Sequence, residues 1–360
     1  MKYGERFTSN LSQVDFSGKH LFIGIDMHKR NWVVTVRTRD LQLKTFSMDP
    51  FPEVLERLLG REYSGGIYHL VYEAGCFGYG TYDYFQEKGF DIIVTPPNRV
   101  YRENSGVKTD KRDSRALALF LAKGLLRKVV VPSQAVRELR QILRIRDKQK
   151  KRKKQIQQEI KGMLLFLNYS LRSKNWSQSM LTELKGLRFS EQGLNLAFQL
   201  LLEEYEFYHE KLVQSNALIK QISGQLGNSY SCIKKMTSIR GIGDLSGFRL
   251  AMHLFDRKDR FMDSDKLVHY LGLTPREHSS GEKRRKGKTG HCGNPELRAA
   301  IIQIAWQSVR WDPVLLDKFD RVYTSSGIKQ KAIVAVARKL MVKLYTVIQK
   351  GEDYQVGLAA

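Results

Sequence analysis

The chain has 360 residues, 61 of them Lys or Arg against 37 Asp or Glu, for a formal charge of +24. Hydrophobic content of 42% and charged content of 27% are ordinary for a globular protein of two or three domains, but the charge selects a polyanionic partner, nucleic acid or an anionic membrane surface. No apolar run approaches the roughly 20 residues of a spanning helix, and the opening "MKYGERFTSNLSQVDFSGKH" has no signal-peptide core. Three scattered cysteines, Cys76, Cys232 and Cys292, fit a reducing compartment rather than a disulfide frame. His291 beside Cys292 lacks the second ligand pair of a zinc site.

Residues 1–20 read as a flexible leader. "LFIGID" (21–26) reads as a buried strand, "WVVTVRT" (32–38) as its alternating antiparallel partner, and "LKTFSM" (43–48) as a third strand. "PEVLERLL" (52–59) has helical spacing and "IYHLVYEA" (67–74) is a strand. "YGTYDYFQEKG" (79–89) is a helix closed by glycine, and "FDIIVTP" (90–96) a strand stopped by Pro96 and Pro97. After a loop comes the helix "DKRDSRALALFLAKG" (110–124). The order β-β-β-α-β-α-β-α is that of a ribonuclease-H-like domain over 21–130.

From 131 to 233 the pattern turns to long helices. Ile156, Ile160, Met163 and Leu167 form one stripe. Phe198, Leu201, Tyr205, Tyr208 and Leu212 form another, resumed by Ile219, Ile222 and Leu226. A helical hairpin or coiled-coil seam and an ordinary amphipathic bundle both fit. Eleven bases and three acids lie between Arg137 and Lys161. The core of this run, Lys150, Lys151, Arg152, Lys153 and Lys154, is basic on every helical face. That exceeds what solubility needs and marks nucleic-acid contact.

A mainly helical third region spans 234–350. In "IRGIGDLSG" two glycines permit a helix-hairpin-helix-like bend, whose amides could face a phosphate. The basic, glycine-rich stretch from Ser279 to Gly293 cannot pack a core and reads as a loop. The last helix is "KQKAIVAVARKLMVKLYTVIQ" (329–349).

Four carboxylates stand out. Asp26 ends the first strand and Glu73 the fourth. Asp110 and Asp113, at i and i+3, share a face of the last helix of the first domain. Each alone has an ordinary explanation: Asp26 a turn cap, Glu73 an ion-pair partner, Asp110 an N-cap, Asp113 a first-turn acid favoured by the helix dipole. Together they occupy positions where the fold brings neighbouring strands and a helix to one place. Converging carboxylates repel unless a hard cation joins them, and oxygen ligands suit Mg²⁺ or Mn²⁺. Lys108, Lys111, Arg112 and Arg115 would then hold a phosphate backbone that bare acids would repel.

"IGIDMHK", "YEAGCFGYG", "PPNRVYRENSGVKTDKRDSRALA" and "IRGIGDLSGFRLAMHL…YLGLTPREHSSGEKRRKGKTGHCGNPELRAAI" resemble the DEDD transposases of the insertion-sequence family numbered one hundred and ten, which includes the Piv-type DNA invertases. The resemblance covers about 21–125 and 234–310. It implies an α/β plus α architecture: a RuvC-like catalytic domain, a helical or coiled-coil middle, and a serine transposase domain. It implies DNA recombination through a serine–DNA covalent intermediate, with Asp26, Glu73, Asp110 and Asp113 as the metal-binding tetrad and Ser280 of "SSG" as nucleophile. Ser279 is the other candidate. Arg284, Arg285 and Lys286 would offset charge on the phosphoryl oxygens. Some members are guided by a structured noncoding bridge RNA, so guide RNA, donor DNA and target DNA are expected partners. A homo-oligomer is expected too, a dimer or, in the synaptic complex, a tetramer. The implied location is the prokaryotic cytoplasm, at the nucleoid. Three departures bear on the serine region and the tetrad's surroundings: the usual alanine after the last acid is Ser114, "SGG" reads "SGEKRRKG", and "ISK" reads "KTGHCG". The competing readings are a metal-dependent Holliday-junction-type nuclease, which would need no serine loop, and a non-enzymatic nucleic-acid binder with a decayed site, which would not retain four costly acids.

Overall fold

The computed structural model describes residues 15–97, 110–172, 175–225, 228–254, 261–280, 283–289 and 293–357. Positions 1–14 of the expected leader, the loop before Asp110 with Lys108, Leu226, and Gly281 in the serine stretch lie outside these. The chain divides into two compact units, Met1–Val131 and Pro132–Ala360.

The first unit holds β1 (His20–Met27), β2 (Trp32–Arg37), β3 (Gln42–Met48), α1 (Pro52–Glu62), β4 (Ile67–Glu73), α2 (Gly80–Glu87), β5 (Asp91–Thr95) and α3 (Asp110–Ala122). This is the element order expected from the pattern. The strands form one sheet in the order β3-β2-β1-β4-β5. β1 runs antiparallel to β2 and parallel to β4, so the first and fourth strands are neighbours. Alternation decides the layering. Leu21, Ile23 and Ile25 bury one face of β1 with Leu55, Leu59 and Phe85 of α1 and α2. Val71, Ile93 and Leu117 form a smaller cluster under α3 on the other face. Phe16, in the expected leader, is buried and packs at 5.2 Å on Tyr63, so the ordered fold begins ahead of β1.

The second unit holds α4 (Gln134–Phe166), α5 (Gln178–Gly186), α6 (Gln192–Gln225), α7 (Asn228–Thr237), α8 (Asp244–Leu254), α9 (Ser264–Tyr270), β6 (Pro275–Ser280), β7 (Lys283–Thr289), α10 (Pro295–Ser308), α11 (Pro313–Ser326) and α12 (Lys329–Lys350). α4 and α6 pack as an antiparallel hairpin. Arg146 bonds Asn216, Gln149 bonds Ser215 and Arg152 bonds Tyr208, the partner numbers falling as the first rise. The stripes read from the sequence supply this seam: Ile156, Ile160, Phe198 and Tyr205 are buried in one cluster. The other end of α4 belongs to a larger core, where Val136, Leu139 and Leu143 pack with α8, α10 and α12. The helical middle and the C-terminal elements therefore fall in one unit, where the sequence suggested a boundary near 233. Among the described residues, no helix is long and apolar enough to cross a membrane.

The stretch after Ser279 departs from the expected loop. The backbone forms a two-stranded antiparallel ribbon, Ser279 opposite Arg284 and Ser280 opposite Lys283. Such a ribbon needs no apolar face to satisfy its backbone, which is why a hydrophobic pattern does not reveal it.

Candidate functional site

The site is built on the C-terminal end of β1. Gly24 lets α3 come close to the sheet: a Cβ there would lie 2.3 Å from the Ser114 carbonyl oxygen and 2.5 Å from the Ala118 nitrogen. Asp26, two residues on, faces the same side. In the β1–β4 register Ile25 pairs with Tyr72, so Asp26 and Glu73 follow one step later at the ends of adjacent parallel strands. Val71, two before Glu73, lies in the cluster under α3, which puts Glu73 on that face as well.

α3 starts at Asp110, and its first turn carries Asp110 and Asp113. The helix is fixed by a buried hydroxyl. Ser114 Oγ lies 2.9 Å from Thr35 Oγ1 on β2, and Thr35 lies 2.9 Å from Thr45 Oγ1 on β3. The departure from the usual alanine at Ser114 thus carries a hydroxyl relay spanning three elements. Arg115 donates to Thr45 Oγ1 at 3.3 Å, and Lys111, Arg112 and Arg115 are all exposed.

Oxygens of Asp26 and Asp110 and a ring nitrogen of His28 all lie within 4.8 Å of one another. His28 Nε2 is 3.2 Å from Asp26 Oδ2 and 3.4 Å from Asp110 Oδ1. Burial pushes the Asp26 carboxyl above the ordinary carboxylate range, and the charges of Asp113 and Asp110 push the same way, while His28 opposes them. Three of the four predicted acids therefore act on one another electrostatically, and Glu73 stands beside them by strand register. This oxygen-rich set fits a hard divalent cation. His28 was not singled out from the sequence. The signal was present, because on an extended strand end the second residue after Asp26 shares its face.

The basic run on α4 divides by face. Arg152 donates to Tyr208 Oη at 2.9 Å, and Lys153 Nζ lies 2.7 Å from His209 Nδ1 and 5.2 Å from the Tyr205 ring centre, so both are committed to α6. Lys150, Lys151 and Lys154 are exposed. Ser280, Arg284, Arg285 and Lys286 lie on the β6–β7 ribbon.

Alanine at Gly24 is expected to destabilise the first unit by about 3 kcal/mol, since the obstructing atoms are backbone and cannot rotate away. The denaturant midpoint measures this, and an unchanged midpoint would show that α3 is not held so close.

A five-stranded sheet of this order with acids at these positions is consistent with a RuvC-like DEDD catalytic domain. Comparison with known proteins agrees. A model of a DEDD transposase family matches residues 23–168, and one described as "Transposase IS116/IS110/IS902 family" matches 233–320. The chain belongs to this family of insertion-sequence transposases. It is similar to the putative transposase y4qE of Sinorhizobium fredii, 26% identical over 68% of this chain and 59% of that protein, so it spans well under two thirds of that relative. It is 23% identical to the transposase for insertion sequence element IS1533 of Leptospira borgpetersenii, over 80% of this chain and 85% of that one. It is also 25% identical to the pilin gene-inverting protein of Moraxella bovis, over 92% and 97% of the two chains.

Proposed function

We propose that the chain cleaves and rejoins DNA at the ends of an insertion sequence, using a carboxylate-held Mg²⁺ or Mn²⁺ and a serine nucleophile. The observation that carries the reading is the approach of Asp26 and Asp110 to within ligand distance of one point, with His28 between them. Asp26, Glu73, Asp110 and Asp113 would hold the cation, which when bound polarises the scissile phosphate. Lys111, Arg112 and Lys108 hold the flanking phosphates. Ser280 Oγ attacks phosphorus: the new O–P bond forms as one bond from phosphorus to a deoxyribose oxygen breaks, the serine proton leaves, and the released oxygen gains one. A serine hydroxyl needs such assistance to react. Arg284, Arg285 and Lys286 offset charge on the non-bridging oxygens. Reversal of this step on a second DNA end rejoins the strands.

In this reading residues 21–130 are the catalytic domain, and 131–233 is a helical segment whose start packs with the serine-bearing segment 234–350. The partners are donor and target DNA and a structured noncoding guide RNA that pairs with both. The chain works as a homo-oligomer in the prokaryotic cytoplasm, at the nucleoid.

The test is to incubate the protein with DNA carrying the element's ends in Mg²⁺ and to denature the products. A protein–DNA adduct that forms with wild type and is lost in Ser280→Ala supports the proposal. Cleaved DNA without any adduct would instead favour a hydrolytic nuclease. An adduct that survives Ser280→Ala but vanishes in Ser279→Ala would move the nucleophile one residue back.

A further inference from the structure

The second unit contains a cleft of about 660 Å³ between α4, the start of α8 and α10. Its charge is one-sided, with five bases against two acids along its walls. One acid, Asp147, is already neutralised: Arg249 reaches it at 2.6 and 2.7 Å and Arg146 at 3.0 Å. The other, Glu296, is exposed in the first turn of α10. Asp147, Lys150, Lys151 and Lys154 follow i, i+3, i+4, i+7 spacing, so the three lysines form one stripe on the cleft side of α4. No ion pair among the described residues involves any of the three.

The facing wall carries an aromatic. Trp306 leans on Phe319, ring centres 5.5 Å apart, yet stays 40% exposed. Gln303 and Gln307, also exposed, flank it on α10. The bend before α8 is held open to this space by Gly241 at φ +107°, where a Cβ would meet Ser308 Oγ at 2.7 Å.

We infer that this cleft binds an unpaired nucleic-acid strand, its phosphates on Lys150, Lys151 and Lys154 and one base stacked on Trp306. A line of unpaired ammonium groups tracks a phosphate backbone, and an exposed indole beside it offers a stacking face. A duplex keeps its bases stacked inside and cannot use that face, so a single strand is favoured. The glutamine amides can then bond the edge of the stacked base. The inference does not rest on the carboxylate reading or on the serine, because binding of this kind needs neither metal nor cleavage.

The test is fluorescence anisotropy of full-length protein in EDTA with labelled 12-nucleotide poly(dT), 12-nucleotide poly(U) and a 12-base-pair duplex. Trp306→Leu keeps the apolar contact with Phe319 but removes the flat ring. It should weaken single-strand binding about tenfold or more, while Trp306→Phe stays near wild type. Replacing Lys150, Lys151 and Lys154 with Gln should flatten the slope of log affinity against log salt by about 2. A preference for poly(U) or for poly(dT) identifies the natural strand, and loss of that binding in Trp306→Leu supports the site in either case. Thermal melting of each variant confirms that it is folded. Unchanged single-strand affinity in folded Trp306→Leu, or equal binding of a 12-residue polyglutamate, overturns the inference.

Discussion

Replacing Asp26 with Asn is expected to reduce DNA cleavage by about 10²–10³-fold or more, while raising the melting temperature of the metal-free protein by a few degrees. The two effects have one origin. Burial and the charges of Asp113 and Asp110 hold the Asp26 carboxyl above its ordinary value against the pull of His28. A carboxyl raised on folding adds stability below its unfolded value and loses it as pH rises through the folded one. Once ionised, the half-buried Asp26 costs the folded protein stability, and Asn relieves that cost. Added Mg²⁺ or Mn²⁺ should reverse the order, because a ligand bound only by the folded state stabilises wild type more than the Asn variant, which binds it more weakly. Thermal melting in EDTA and then in excess metal measures both. If Asp26→Asn melted below wild type in EDTA, Asp26 would be a structural acid and not a strained one.

Mixing Ser280→Ala protein with Asp113→Asn protein, each inactive alone, is expected to restore strand exchange. Ser280 and Asp113 lie in different units of the chain, in segments more than a hundred residues apart, with the long α4–α6 hairpin between them. A site that takes its serine from one protomer and its acids from another needs only one intact copy of each. Complementation in a random mixture restores a fraction of wild-type exchange, set by how many sites pair an intact serine with an intact tetrad. Failure of the mixture, with mixed oligomers shown to form by tagged pull-down, would mean that each protomer uses its own serine and its own acids.

The first unit was legible because its residues obey simple periods. Alternation in "WVVTVRT", the proline stop after "FDIIVT" and glycine closures delimit elements within a few residues. Strand order then followed from topology, and it put Asp26 and Glu73 side by side. What stayed hidden depends on partners distant in sequence. The split of the basic run, with Arg152 and Lys153 on α6 and the other three lysines in no ion pair among the described residues, is decided by Tyr205, Tyr208 and His209 more than fifty residues away. Ser114 looked like a mere departure from alanine, until Thr35 on β2 gave its hydroxyl a buried partner. The β6–β7 ribbon has almost no apolar residue to reveal it. His28 was readable by face but is an ordinary residue type after a strand, so only its 3.2 and 3.4 Å approaches to two carboxylates mark it.

Asp26 of β1, Glu73 of β4, and Asp110 and Asp113 of α3 are proposed to form one cation site. The most direct measurement is Mn²⁺ binding to metal-free, full-length protein by electron paramagnetic resonance, without DNA. Wild type should bind the ion, and Asp26→Asn, Glu73→Gln, Asp110→Asn and Asp113→Asn should each weaken binding by about 10–100-fold. Folded variants that bind Mn²⁺ as tightly as wild type would contradict the account.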